Sequence, residues 1–339
     1  MDKFILGGGA PSGAGWIALA VMGLAYMVVR GKTRQVERRH PAGGKFLLVD
    51  GVRLHYVEQG QGPTLLLLHG NATMAEDFSL CGLVGQLARN FRVVAIDRPG
   101  YGYSERPRGR LWTPQAQARL LRGALLQLGA EPAIVLGHSW GTMVALAMAL
   151  EFPASVRGLV LLSGYYYPSL RLDVPYAAIP AIPLLGDLMR FTLSPLLGRL
   201  LWPVSMRFAF SPRKIAGSFR LPPWMSLRPL SMRASAEEAA LMIPAAAALR
   251  KRYGELRMPV TIMAGANDRV VSAQGQSARL HAQLPHSELL LFPAVGHMMQ
   301  HLVQDDIAAQ VGQLAGAAEP APRPPAAGRA HDRAGAPLH

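Results

Sequence analysis

The chain has 339 residues, half of them apolar, which excludes wholesale disorder and leaves room for one large core with an insertion. A single cysteine, Cys81, rules out an internal disulfide and any cysteine-rich zinc site. The formal net charge of +14 rests on scattered arginines with no RNA-binding signature or zinc-finger spacing, so nucleic acid is not the expected partner; an anionic lipid surface is.

From Phe4 to Val29 no residue is charged, and Trp16 to Val29 is strongly apolar; Arg30, Lys32, Arg34, Arg38 and Arg39 follow. About twenty residues ending at Val29 just span a bilayer at a rise of about 1.5 Å each. Residues 1–40 are therefore expected to form a membrane anchor with a basic linker. A cleaved signal peptide is the rival, but only Lys3 supplies positive charge ahead of the apolar stretch and no small-x-small cleavage site follows it. The basic cluster on the C-terminal side puts the main domain in the cytoplasm, whereas signal cleavage would make it periplasmic or secreted.

Phe46 to Asp50 and Val52 to Glu58 alternate around Asp50-Gly51, the signal for a two-residue hairpin. Thr64 to Leu68 is an unbroken aliphatic run suited to a strand buried on both faces, and it ends in His69-Gly70-Asn71. A helix is predicted over Phe78 to Arg89, a buried strand over Arg92 to Ile96, a glycine-rich loop over Asp97 to Ser104 and a helix over Pro114 to Leu128. A strand from Ala133 then stops at Gly137, and small and apolar residues at helical spacing run on from Trp140 to about Leu150. Arg157 to Leu162 is the next strand. Strands alternating with helices imply a parallel sheet covered on both faces.

The rhythm breaks from about Tyr165 to Arg252, where prolines, methionines and apolar clusters predict an inserted helical cap over residues 165–252. With 12 basic and four acidic residues, this segment carries +8, which suits a membrane-facing role. The sheet resumes at Pro259 to Ala264, a helix covers about Ala273 to Gln283, Glu288 to Phe292 is the last strand, and a helix over about Gln300 to Leu314 closes the domain. The core is thus 41–164 with 253–314, and residues 315–339, rich in Ala, Pro, Gly and Arg, are expected to be disordered.

Ser139 lies between Gly137 and Gly141, where a strand turns sharply into a helix and there is no room for a neighbouring Cβ. A serine hydroxyl needs a base to take its proton and a third group to hold that base. His297, in the loop after the last strand, falls on the same sheet edge as Ser139. His69 also follows a strand but is expected to shape its turn; His138 should point away from the serine; His281, His286 and His301 are expected at the surface. Asp268 ends the preceding strand 29 residues before His297, and its rival Asp97 sits in a Pro-Gly turn where an Asp bonds its own backbone.

With these motifs in order, the chain resembles the α/β-hydrolase fold superfamily, of the capped serine hydrolase type, over about Phe46 to Leu314. The match rests on Gly137-His138-Ser139-Trp140-Gly141, on His69-Gly70-Asn71, on the loop Asp97 to Ser104, and on the order Ser139, Asp268, His297. The resemblance implies a nucleophile elbow at Ser139 and an oxyanion hole made by the backbone N–H groups of Asn71 and Trp140. It implies no metal and no organic cofactor. Ala72 and Thr73 stand where the family often has a proline. Haloalkane dehalogenases and epoxide hydrolases attack with an aspartate where this chain has Ser139, which argues against both reactions. The expected activity is hydrolysis of an ester or related acyl bond of a lipophilic small molecule. Carbon-carbon bond hydrolysis, a haloperoxidase-type activity and a non-catalytic ligand-binding role are the alternatives.

Overall fold

The computed structural model describes residues 13–318. Its centre is an eight-stranded sheet in the order β1-β2-β4-β3-β5-β6-β7-β8. The strands are β1 (Lys45–Val49), β2 (Val52–Gln59), β3 (Thr64–Leu68), β4 (Arg92–Ile96), β5 (Ala133–His138), β6 (Val156–Leu162), β7 (Val260–Gly265) and β8 (Glu288–Phe292). β1 and β2 run antiparallel through a hairpin whose turn residues, Asp50 and Gly51, both have positive φ; from β4 onward all pairs are parallel. β3, aliphatic and fully buried, lies between β4 and β5 in mid-sheet, as an unbroken apolar run requires.

The helices are α1 (Gly13–Arg39), α2 (Glu76–Leu80), α3 (Leu83–Leu87), α4 (Pro114–Gln127), α5 (Trp140–Glu151), α6 (Val174–Ala178), α7 (Leu185–Phe191), α8 (Leu193–Phe210), α9 (Pro223–Ser226), α10 (Pro229–Leu249), α11 (Arg279–Gln283) and α12 (Gln304–Ala318). α4 starts where Thr113 accepts the Ala116 N–H at 3.2 Å and Pro114 occupies the first turn. α5 is apolar all round because it is buried all round, from Trp140 to Leu150.

Three local expectations are corrected. The helix predicted over Phe78 to Arg89 is two short helices, α2 and α3, broken at Gly82, whose φ of 83° is left-handed. The closing helix starts at Gln304 rather than Gln300, after a short turn at Met299–His301. It also runs through Ala318, past the point where disorder was expected, and residues 319–339 lie outside the described residues.

Between β6 and β7 the chain forms α6 to α10 and no strand. α10 packs on α5, so this helical insertion rests on the helix that follows Ser139. α1 is long and apolar enough to cross a membrane by length and composition, with Trp16, Ile17, Leu19 and Met27 exposed; residues 4–12 of the uncharged stretch, with the start of the predicted span, lie outside the described residues. Its C-terminal half docks on the insertion. Tyr26 meets Phe191 at 6.3 Å between ring centres, Val36 packs with Leu221 and Met225, and Glu37 reaches Arg228 at 3.2 Å.

Candidate active site

Ser139 sits between β5 and α5 with φ 52° and ψ −120°, a strained conformation held by its N–H donating to the Leu162 carbonyl at 2.8 Å. The flanking glycines are a steric necessity. A Cβ on Gly137 would lie 2.7 Å from the Gly141 oxygen, and one on Gly141 would lie 2.3 Å from the Leu68 oxygen. The sharp turn therefore brings Ser139 against the end of β3, where residues 69–71 begin.

Three of the predicted residues come together. His297 Nε2 lies 2.9 Å from Ser139 Oγ, and His297 Nδ1 lies 2.8 Å from Asp268 Oδ2. The other carboxylate oxygen of Asp268 accepts the N–H groups of Val270 at 2.8 Å and Val271 at 2.9 Å. Burial raises the Asp268 pKa, but the charge and hydrogen bond of His297 and these two N–H donors outweigh it, so the carboxyl is held below its ordinary value. The backbone of His297 is fixed from the insertion, its N–H donating to the Ala209 carbonyl near the end of α8 at 2.9 Å.

The other candidates are otherwise employed. His69 donates through Nδ1 to the Gly70 carbonyl at 2.8 Å and accepts the Arg98 N–H on Nε2 at 3.0 Å; burial and the Arg98 charge push its pKa well down. His138 turns Nε2 to the His297 carbonyl at 3.0 Å, and burial, with His297 beside it, lowers its pKa to about 4. The Asp97 carboxylate accepts from the Ala75 N–H at 2.8 Å, the Tyr103 N–H at 2.9 Å and His55 Nδ1 at 2.7 Å. His281 is half-buried against Ser287, and His286 is exposed. His301 corrects the surface expectation: it is buried between Asp77 at 2.9 Å and Ser218 at 3.0 Å, with Phe210 and Phe219 edge-on to its ring.

Asn71, Ser139 and Trp140 line a cavity of about 550 Å³ whose remaining wall is largely apolar, including Val174, Leu197, Trp202, Met242 and Val271. Trp140 is the first residue of α5, so its N–H is one of those a helix leaves without an intrahelical acceptor. Asn71 is held by its side chain, whose Oδ1 accepts the Ser235 hydroxyl at 2.6 Å and whose Nδ2 donates to the Ser235 carbonyl at 3.1 Å. Among the described residues no three His, Cys, Asp or Glu side chains group so as to hold a metal ion.

Sequence reasoning missed the ion pair beneath this cavity. Arg98 and Glu238 are fully buried and bonded to each other, Arg98 from the loop after β4 and Glu238 from α10. Arg98 also donates to the carbonyls of His69 at 2.8 Å and Gly70 at 2.9 Å. Glu238 collects Tyr101 Oη at 2.7 Å and Gln117 at 3.0 Å, and its carbonyl accepts the Trp140 indole N–H at 3.1 Å. The loop bearing Asn71 and the start of α5 are thus both tied to α10. A Glu-Glu pair in a helix of an apolar insertion was the one available signal, since a burial partner for a carboxylate must come from elsewhere.

Comparison with known proteins agrees with this architecture. Haloalkane dehalogenase 2 of Mycobacterium bovis is 37% identical over 117 residues, covering 34% of this chain and 40% of that enzyme's length. The 2-hydroxy-6-oxo-2,4-heptadienoate hydrolase of Pseudomonas putida is 26% identical over 285 residues, covering 79% of this chain and 97% of that one. The crystal structure of a bacterial membrane phospholipase A shares the fold, with a TM-score of 0.61 at 21% identity over 89% of this chain and 95% of that one. The family model described as alpha/beta hydrolase fold matches residues 63–302. With its strand order, its elbow at Ser139 and that match over most of its length, the chain belongs to the alpha/beta hydrolase fold family.

Proposed function

We propose that the protein is a serine hydrolase that cleaves an ester or related acyl bond of a lipophilic small molecule. Ser139 attacks the acyl carbon while His297 takes its proton; His297 then protonates the leaving group, and water releases the acyl-enzyme by the same steps in reverse order. Asp268 fixes the His297 tautomer and stabilises the imidazolium. The N–H groups of Asn71 and Trp140 receive the charge that develops on the carbonyl oxygen, and losing one such donor typically costs about 100- to 1,000-fold in rate. The observation that carries this reading is the hydrogen-bonded line from Ser139 through His297 to Asp268, at 2.9 and 2.8 Å, beside an apolar cavity.

A dehalogenase reading, suggested by one relative's name, would need a carboxylate nucleophile where this chain has Ser139. The similarity to a 2-hydroxy-6-oxo-2,4-heptadienoate hydrolase, over 79% of this chain and 97% of that enzyme, favours carbon-carbon bond hydrolysis as the second reading. The insertion over residues 165–252 acts in this reading as a cap over the site, and α1 anchors the enzyme with its core on the cytoplasmic side, where Arg30 to Arg39 lie.

A fluorescent fluorophosphonate probe tests the assignment. Wild-type protein labels at Ser139 and Ser139→Ala does not. Folded wild-type protein that stays unlabelled points instead to a non-catalytic binding role. Turnover of p-nitrophenyl esters of increasing chain length, set against a vinylogous diketone, separates the acyl-bond and carbon-carbon readings.

A further inference from the structure

A second cleft, of about 180 Å³, opens between the loop after β4 and the insertion, and no member of the Ser139 site lines it. Its walls carry Arg108 and Arg110 from the loop, Arg190 from α7 and Arg233 from α10, against the carboxylates of Asp187 and Glu237. Those carboxylates are already shared. Asp187 bonds both Arg108 and Arg190, while Glu237 takes Arg106 at 2.6 Å and Arg233 at 3.5 Å. Arg110 has no acidic partner among the described residues and lies over the Trp112 ring at 4.8 Å. Five guanidinium groups therefore share two carboxylates, leaving three positive charges uncompensated.

Two of these groups cannot be neutralised by water. Arg190 is 3% exposed and Arg233 8%; the Nε of Arg190 has no hydrogen-bond acceptor among the described residues, and that of Arg233 has only the long contact to Glu237 at 3.5 Å. Burial, opposed by Asp187 and reinforced by Arg108, lowers the Arg190 pKa; burial and the neighbouring arginines act the same way at Arg233 against Glu237. Each buried guanidinium shares its carboxylate with a second arginine, Arg190 with Arg108 at Asp187 and Arg233 with Arg106 at Glu237, so the half-compensated charge of the cleft calls for an anion.

We propose that this cleft binds a phosphate group, held between the loop after β4 and helices α7 and α10. A carboxylate offers two oxygens and one charge, whereas a phosphate carries up to about two charges and oxygens in a tetrahedral array that several guanidinium forks can grip at once. The group comes either from a soluble phosphate or from the headgroup of an anionic lipid. The second source is within reach of a membrane-anchored chain, because α7 touches α1 and, with Leu184 just ahead of it, presents Leu185 and Leu188 to the outside.

Thermal unfolding of the full chain in neutral detergent tests the site, with inorganic phosphate titrated at constant ionic strength against chloride and acetate. A parallel series uses nanodiscs of phosphatidylcholine with or without phosphatidic acid. The expected result is a saturable rise in melting temperature with phosphate or with phosphatidic acid that chloride and acetate do not give. Arg190→Gln should weaken the apparent affinity by about tenfold or more. Arg110→Gln, at an exposed position that folding does not need, should do the same and serves where Arg190→Gln fails to fold. Response to both probes assigns a soluble phosphate, and response to phosphatidic acid alone assigns a lipid headgroup. No response beyond chloride, or a response undiminished in Arg110→Gln, overturns the proposal.

Discussion

The buried Arg98–Glu238 pair makes a prediction that separates stability from catalysis. Both side chains are fully buried, and among the described residues Glu238 is the only carboxylate that Arg98 bonds. Glu238→Ala therefore strands a guanidinium in the interior, a change that costs about 3–5 kcal/mol, or of order 10 °C in melting temperature for a domain of this size. Replacing both partners by apolar residues, as in Arg98→Met with Glu238→Leu, removes the stranded charge, and such exchanges are often neutral or better. Most of the lost melting temperature should return in the double variant. Activity should not, because Arg98 also holds the His69 and Gly70 carbonyls at 2.8 and 2.9 Å, just ahead of Asn71. A displacement of about 1 Å in an oxyanion donor can lower kcat about 100-fold. Melting curves and initial rates on one p-nitrophenyl ester, in the same detergent, read both quantities. Wild-type kcat in the double variant would refute the positioning argument, and wild-type melting of Glu238→Ala would refute the burial of the pair.

His297→Ala should lower kcat by about 100- to 10,000-fold with an unchanged melting temperature, and His286→Ala, at an exposed site, should change neither; equal losses would mean the base is misassigned. His301→Ala should lower stability by about 2 kcal/mol, since it strips a partner from buried Asp77, and a melting curve identical to wild type would contradict that contact. His138 takes up a proton at ordinary pH in the unfolded chain but only near pH 4 when folded, so the unfolded state binds more protons between these limits. Stability is then full above about pH 6.5 and falls by up to about 3 kcal/mol toward pH 4, and His138→Gln should flatten that slope in urea titrations; an unaltered slope would count against it. Deleting residues 1–29 should release the protein from carbonate-washed membranes, and continued sedimentation with them would rule α1 out as the sole anchor.

The sequence by itself determined the elements whose geometry is demanded locally. Asp50-Gly51 adopts the positive φ pair of a tight hairpin, Thr64 to Leu68 fills mid-sheet, and Gly137 and Gly141 flank Ser139 because no Cβ fits there. In each case one stretch of backbone imposes its own residue types, so the stretch announces itself. The convergence of Ser139, Asp268 and His297 could be anticipated for a related reason: each stands at the same end of a parallel strand, and strand order brings those ends to one edge. What only the tertiary structure decided are the partners of buried polar groups. Arg98 and Glu238 stand 140 residues apart and His301 and Asp77 224 apart, and neither sequence neighbourhood names the partner. A helix spacing or a glycine states a local constraint, but a buried charge states only that a partner exists, and packing alone selects which one.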